Sequence, residues 1–445
     1  MIFIWMLLFN QPTAFARTLH FPDQFRWCVS TAAHQIEGGN RHSDWWEFEH
    51  QKDRIKNGDT TAVATDHWNR VPEDVQLIKQ LNVSDYRMSI EWARIEPREG
   101  QFDPTAIAHY RNEIELLIKN EIRPIVTLQH FTFPLWVRQK GGFEWKGLPK
   151  AFARFTEAVY KNIAPEVTDW ITINEPMVSA LGGYVKGVVP PAETREMNGL
   201  PPVLSGILRT HAAAYHKLHR LAAEERQLIR VGMAHQLRTM DPYYPLLATD
   251  IALAQLADQA FNWSLPEALQ TGVFHLELPF VVSWTESIEG LAGTQDFLAI
   301  NYYTGDLVHL SPENGFELHQ RQDLPKNDMG WPIYPEGFLR ILRATAERFP
   351  QKPILITENG IADHRDHLRQ QFITDHLTVI HQAMSEQIPI EGYCHWSLLD
   401  NFEWDQGYGP RFGLYAVDYK TLNRKARPSA RLFGRIAREK RIYTH

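Results

Sequence analysis

Across 445 residues the chain has only two cysteines, Cys28 and Cys394. Two thiols so far apart make neither a disulfide framework nor a zinc site. Basic blocks are missing as well. Formal net charge is −7, with 46 Lys and Arg and 53 Asp and Glu mixed along the chain, which argues against nucleic acid as the main partner. No stretch reads as a nucleotide-binding glycine loop. No linker, internal repeat or low-complexity segment splits the chain. Past the N-terminus no run is long and apolar enough for a bilayer span, so no membrane partner is expected.

The N-terminus stands apart. Met1 to Phe9 is an apolar run of signal-peptide length, and Ala14-Phe15-Ala16 has the small-x-small form of a cleavage site. The run is too short to span a bilayer, and no Lys or Arg precedes it. Residues 1–17 read as a signal peptide or as an extension, outside the fold. A cleaved signal implies the periplasm or the extracellular space; without one the expected location is the cytoplasm.

What is present is apolar and aromatic. Hydrophobic residues make up 44%, so the chain is globular. Aromatics reach 12%, with 14 Trp. Indoles stack on sugar rings, but a Trp-rich core reads equally well. Short apolar runs alternate with helical patterns from Phe21 on. The expected strands are eight: Phe25–Thr31, Val83–Ile90, Arg123–Leu128, Trp170–Asn174, Arg230–Ala234, Phe297–Asn301, Pro353–Thr357 and Gly392–Trp396. Asp103-Pro104 opens one helix with a cap and a first-turn proline. Ile107, Tyr110, Ile114 and Leu117 then give a buried stripe, as do Leu148, Phe152, Phe155 and Val159. Glu115 and Lys119 are spaced for an exposed ion pair.

Eight β-then-α units predict an α/β fold, a single (β/α)8 TIM barrel over residues 18–445. An ordinary barrel needs about 250 residues. The excess falls at 32–75, 177–205, 235–295 and 304–335. All are βα connections, so these long loops wall a pocket on the C-terminal face. Cys28 and Cys394 fall on the first and last strands, which a barrel makes neighbours. Buried free thiols are expected there.

Two acids end two of these strands. Ile354-Leu355-Ile356-Thr357 delivers Glu358, and Asn359-Gly360 reads as the turn that follows. Trp170-Ile171-Thr172-Ile173-Asn174 delivers Glu175, and Pro176 stops the strand. A lone strand-end Glu is usually just solvated. A matched pair in the fourth and seventh units fits glycosidic cleavage, where one carboxyl gives a proton and the other stays ionised. Arg87 lies within the second strand, and beside Glu358 it would hold that carboxylate charged. Asn174 adds an amide suited to a sugar hydroxyl, and His130, just after the third strand, is a further candidate donor or simply a packed histidine. His211, His216 and His219, like His364 and His367, lack the acid or cysteine partners of a metal site.

At this point the chain resembles glycoside hydrolase family 1, the β-glucosidase family, from about Phe21 to about Phe433. The resemblance rests on Ser30-Thr31-Ala32-Ala33-His34-Gln35-Ile36-Glu37-Gly38, Tyr86-Arg87-Met88-Ser89-Ile90-Glu91-Trp92, and the stretches at 172–176, 301–304 and 356–360. Asp328-Met329-Gly330-Trp331 and the run from Trp396 to Trp404 complete it. Any one of these is weak; all in this order are specific. The resemblance implies Glu175 as general acid/base and Glu358 as nucleophile, with Arg87 and Tyr303 beside the nucleophile. It implies Asn174 at the sugar 2-hydroxyl, and Gln35, His130, Glu403 and Trp404 on the other hydroxyls. Trp396 would be the floor under the ring, and Trp331 a wall around the leaving group.

The implied mechanism is double displacement with retention, which needs carboxyl groups about 5–5.5 Å apart. It needs no metal or organic cofactor, and the implied partner is a small carbohydrate. The chain departs from the family at three places. Phe131-Thr132-Phe133-Pro134 follows His130 where many relatives have Trp-Asp-Leu-Pro, which removes an indole donor. Met177 stands where Trp is common, which suggests a looser leaving-group site, and His34 where Tyr is common. Glu403-Trp404 would repel a 6-phosphate, so unphosphorylated β-D-glucosides and short β-oligosaccharides are the expected substrates. A β-galactoside or β-fucoside preference, or transglycosylation, uses the same residues. A silent sugar-binding barrel is the least favoured reading, because both glutamates are present.

Overall fold

The structure, a computed structural model, describes residues 17–313 and 315–444. The N-terminal apolar run lies outside them. The eight expected strands are all there: β1 (Arg26–Ser30), β2 (Asp85–Ser89), β3 (Arg123–Gln129), β4 (Asp169–Asn174), β5 (Arg230–Pro242), β6 (Leu298–Ser311), β7 (Ile354–Gly360) and β8 (Ile390–Trp396). Each pairs parallel with the next, and β8 pairs with β1, so the sheet closes into a barrel. Every described C-terminal strand end therefore opens onto one face.

Helices form where the pattern puts them. Asp103 Oδ1 accepts from the N–H groups of Thr105 and Ala106 at 2.8 and 3.3 Å and caps Pro104–Lys119. Tyr110, Ile114 and Leu117 are buried along it, and Ile107 is half-buried. Leu148, Phe152, Phe155 and Val159 are wholly buried. The expected Glu115–Lys119 pair gives way to Arg111, whose Nε sits 2.7 Å from Glu115. A guanidinium one turn earlier reaches the same carboxylate and also holds Glu166 at 2.6 Å.

The barrel interior is filled. Cys28, Ile125, Ile171, Ala234, Phe297, Ala299, Leu355 and Cys394 form one buried plug. Charges close its lower end: Arg26 donates to Asp85 and Asp169, and Arg230 to Asp169 and Glu391. Cys28 and Cys394 are direct partners across the β8–β1 seam and are joined by a disulfide. The free thiols expected are corrected here. They are 366 residues apart in sequence, and only closure of the barrel makes them opposite neighbours.

Two strands run further than expected. β5 continues past Ala234 to Pro242, and β6 past Asn301 to Ser311. The two stay paired from Thr239–Gly305 to Pro242–Val308, beyond the barrel rim. Segments expected as loop thus begin as sheet, because each extension supplies the other's backbone partners.

The histidines considered for metal have separate partners. His211 is hydrogen-bonded to Thr172 and to the Thr294 carbonyl, His216 to the Gly290 carbonyl and His219 to Asp296. Among the described residues, no helix is long and apolar enough to cross a membrane.

Candidate active site

A cavity of about 400 Å3 opens at the C-terminal ends of the strands, within the size range of small-molecule sites. His130, Glu175, Tyr303, Trp331, Glu358, Trp396, Glu403 and Trp404 line it. Gln35, Arg87 and Asn174 are buried next to that lining, and Arg87 and Asn174 reach it through hydrogen bonds to Glu358 and His130.

Glu358 comes from β7. Arg87 Nη1 donates to its Oε1, and Tyr303 OH donates to its Oε2 at 2.6 Å. Arg87 is buried and Tyr303 half-buried, and the two hold the carboxylate from two sides. The Asn359-Gly360 step after it is strand and not the expected turn: Asn359 pairs with His395 and Gly360 with Trp396. Asn359 Nδ2 donates to the Tyr302 carbonyl at 2.7 Å, and Tyr393 OH donates to Asn359 Oδ1 at 3.0 Å. Glycine is required by closeness, since a Cβ at Gly360 would meet the Trp396 carbonyl oxygen at 1.8 Å.

Glu175 follows β4. Its backbone is left-handed, with φ 44° and ψ 61°, just before the helix Pro176–Ala180. Phe131 (φ 70°) and Trp404 (φ 50°), which line the same cavity, share that region. Such conformations are costly for these residue types and gather at functional sites. Asn301 Nδ2 donates to Glu175 Oε1 at 2.8 Å and to Asn174 Oδ1 at 3.1 Å. Asn174 Oδ1 also accepts from Arg87 Nη2 at 2.6 Å. One chain of contacts thus runs from Glu358 through Arg87, Asn174 and Asn301 to Glu175.

The two acids are held differently. Burial pushes the Glu175 carboxyl up to about 8, and the nearby Glu358 charge pushes the same way; Asn301, Arg87 and Arg238 oppose. Burial also raises Glu403 to about 8, with Glu358, Asp405 and Glu175 adding to it. Burial and the Arg87 charge hold His130 well below the usual imidazole range, so it is neutral. Buried polar atoms without protein partners gather here: Gln35 Oε1, His130 Nδ1 and Glu403 Oε2. Gln35 is itself anchored to Asn401 Oδ1 and the Phe402 carbonyl at 3.0 and 2.7 Å. Unpaired buried acceptors and donors are what a polyhydroxylated ligand would satisfy.

Aromatic rings frame the same volume. His130 stacks near parallel to Trp396 and Trp404, at 5.9 and 6.1 Å between centroids. Trp331 meets Tyr303 at 5.8 Å. Other tryptophans, such as Trp92, Trp170 and Trp263, are core, so both readings of the Trp content hold at different positions. Of the departures, Phe131 sets its edge against Trp404 at 5.0 Å, and His34 stacks on Trp404 at 6.0 Å. Met177 packs in the main core, and its neighbours Val178, Ser179 and Leu181 line the cavity in its place.

A carboxylate in an ion pair, a protonated acid and unpaired polar groups around aromatic floors fit glycosidic cleavage. The family model for glycosyl hydrolase family 1 matches residues 17–442. The chain belongs to glycosyl hydrolase family 1. This family 1 chain is 32% identical to β-glucosidase A of Thermotoga maritima, over 94% of this chain and 98% of that one. It superposes on a β-glycosidase from Pyrococcus horikoshii with a TM-score of 0.88 at 36% identity, covering 96% of each chain. It matches a Thermotoga maritima β-glucosidase in complex with castanospermine at a TM-score of 0.87 and 31% identity, over 95% of this chain and 99% of that one.

Two residues at the cavity were not singled out from sequence. Asn301 has the same strand-end signal as Glu175 and Glu358, since it sits where β6 reaches the barrel rim. Arg238 lines the cavity but lies four residues past the expected end of β5, in what read as loop.

Proposed function

We propose that the protein is a retaining β-glucosidase that removes terminal non-reducing β-D-glucosyl residues from β-glucosides and short β-oligosaccharides, with Glu358 as nucleophile and Glu175 as acid/base. One observation carries the assignment: the two carboxyls share a cavity, yet Glu358 is gripped by Arg87 and Tyr303 while Glu175 has only an amide and a raised affinity for its proton. A carboxyl of such a pair that is raised and keeps its proton is suited to be the acid. The names of relatives agree, and solved Thermotoga maritima β-glucosidases hold the sugar-like inhibitors castanospermine and deoxynojirimycin.

In the first step Glu358 attacks the anomeric carbon and Glu175 protonates the departing oxygen. The Glu358 ester carries no charge, so the repulsion that raised Glu175 is gone, and Glu175 then takes a proton from the attacking water. Asn174, held by Arg87 and Asn301, faces the 2-hydroxyl in this reading, where hydrogen bonds tighten toward the transition state. Gln35, His130, Glu403 and Trp404 take the remaining hydroxyls, over Trp396, and Trp331 borders the leaving group. Neutral His130 can both donate and accept.

The test compares aryl β-D-glucoside and aryl β-D-galactoside for wild type, Glu358→Ala and Glu175→Ala, with and without azide. Glu175→Ala is expected to lose about 10²–10⁴-fold, with azide restoring turnover and giving a β-configured glycosyl azide. Glu358→Ala is expected to give no β-azide. A Glu175→Ala enzyme that yields the α-azide reverses the roles, and one that azide does not rescue removes Glu175 from the acid/base role.

A further inference from the structure

Val178, Leu181, Val189 and Phe261 are apolar members of the cavity wall. Arg238 is set into that wall from the β5 extension. Its Nη1 lies 2.7 Å from the buried Asp306 on β6. Its guanidinium sits 5.8 Å from the Phe261 ring centroid. Asn262 pins its backbone from both sides, accepting from Arg238 N–H at 3.0 Å and donating to the Arg238 carbonyl at 2.7 Å.

So fixed, the guanidinium still has an unused edge: Arg238 Nε–H makes no hydrogen bond. Ser179 Oγ, one helical turn past Glu175, is likewise buried without a partner and lines the same cavity. Leaving a buried donor unpaired is costly, and in an apolar wall it is a bound ligand that can pair it. Arg238 and Glu175 line the same cavity, so a ligand seated there meets both. A rigid guanidinium edge suits a planar oxyanion. The apolar residues of the wall, Phe261 beside the guanidinium among them, suit an aromatic ring.

We infer that Arg238, with Ser179, selects the leaving group, and that the preferred aglycone is an aromatic ring bearing a carboxylate on the edge away from the glycosidic bond. This rests on the β-glucosidase reading and specifies the other half of the substrate.

The test uses three substrates, phenyl, 3-carboxyphenyl and 4-carboxyphenyl β-D-glucoside, whose phenols are of comparable acidity. Wild type is expected to favour one carboxyphenyl glucoside over the phenyl glucoside by about tenfold or more in kcat/KM, since a site built to bind a polar group penalises its absence. Arg238→Gln is expected to bring that ratio to within about threefold of unity, and Arg238→Met to do the same. The ratio is taken within one variant, so a poorly folded fraction cancels. A wild-type ratio near one overturns the inference, as does a ratio that survives both substitutions. A fall on all three substrates together, with a shifted pH profile and an unchanged ratio, makes Arg238 a positioning residue for Glu175 and also overturns it. If wild type turns over none of the three, the β-glucosidase reading fails and the inference falls with it.

Discussion

Tyr303 spends its only hydroxyl proton on Glu358. A hydrogen bond to a charged group is worth about 1.5–3 kcal/mol. Tyr303→Phe is therefore expected to lower kcat by about tenfold to a hundredfold, while leaving the fold intact, as circular dichroism would check. Less than a twofold change would mean that the hydroxyl does not steady the nucleophile. If Glu175 is the acid of the first step, as proposed, kcat/KM is expected to fall as pH rises through about 8, the value to which burial and the Glu358 charge bring it. In Glu358→Gln that charge is gone but burial remains. Titration of the Glu175 carboxyl by carbon NMR is then expected to give a lower value than in wild type; an unchanged value would mean that burial acts alone. The strand-end glutamates, Arg87 and His130 were legible because each follows or interrupts an apolar β run. Asn301 was not singled out, because an Asn after a strand is ordinary until its two partners are seen.

At the scale of the element, β7 shows why local signals mislead. Asn-Gly after an apolar run is a turn signal, yet here it continues the strand against β8. Gly360→Ala would drive a Cβ to 1.8 Å from the Trp396 carbonyl, so β8 must shift and carry Trp396 with it. Overpacking of this kind costs about 1–3 kcal/mol or more. A lowered Tm together with lost aryl glucosidase activity is expected, and a fully active, equally stable variant would contradict it. The β8–β1 seam carries a second consequence. A disulfide across so long a loop contributes up to about 5 kcal/mol. Denatured without reductant, the chain should show no titratable thiol, and Cys394→Ala should unfold at lower denaturant. Free thiols in that assay would contradict the linkage. Strand pairing at the seam, like the joint extension of β5 and β6, depends on residues far apart in sequence, which is why neither was readable locally.

The whole molecule carries buried titrating groups of several kinds, and their signs decide its pH stability. His211, His235 and His376 are depressed to about 4 by burial, and burial holds His130 and His395 well below normal. The unfolded chain binds those protons first, so stability from them rises between about pH 4 and 6.5. Burial raises Glu37 and Asp44 to about 7 and Glu175 and Glu403 to about 8. The fold keeps those protons after the unfolded chain has lost them, so their contribution declines from about pH 4 to 8. For His67 burial opposes charge, but Glu113 and Asp74 outweigh it and raise the imidazole to about 10. Its contribution is full below about pH 6.5 and is lost on the way to 10. Above pH 6.5 the groups that still titrate, His67 and the four raised acids, point the same way. Tm is expected to be lower at pH 9 than at pH 6.5 by about 5 °C or more. A Tm that rises over that interval would show that other groups dominate.

The sequence by itself determined the eight strands and their order, the two helical stripes named here, the strand-end glutamates and the family. All of these follow from periodicity and short motifs, which act within a few residues. Tertiary structure decided the disulfide, the continuation of β5 and β6 past the rim, the role of Gly360 as a point of close approach, and the place of Arg238 in the cavity wall. The physical reason is common to them. Each depends on which backbones become neighbours when the barrel closes, and that distance is not written in the spacing along the chain.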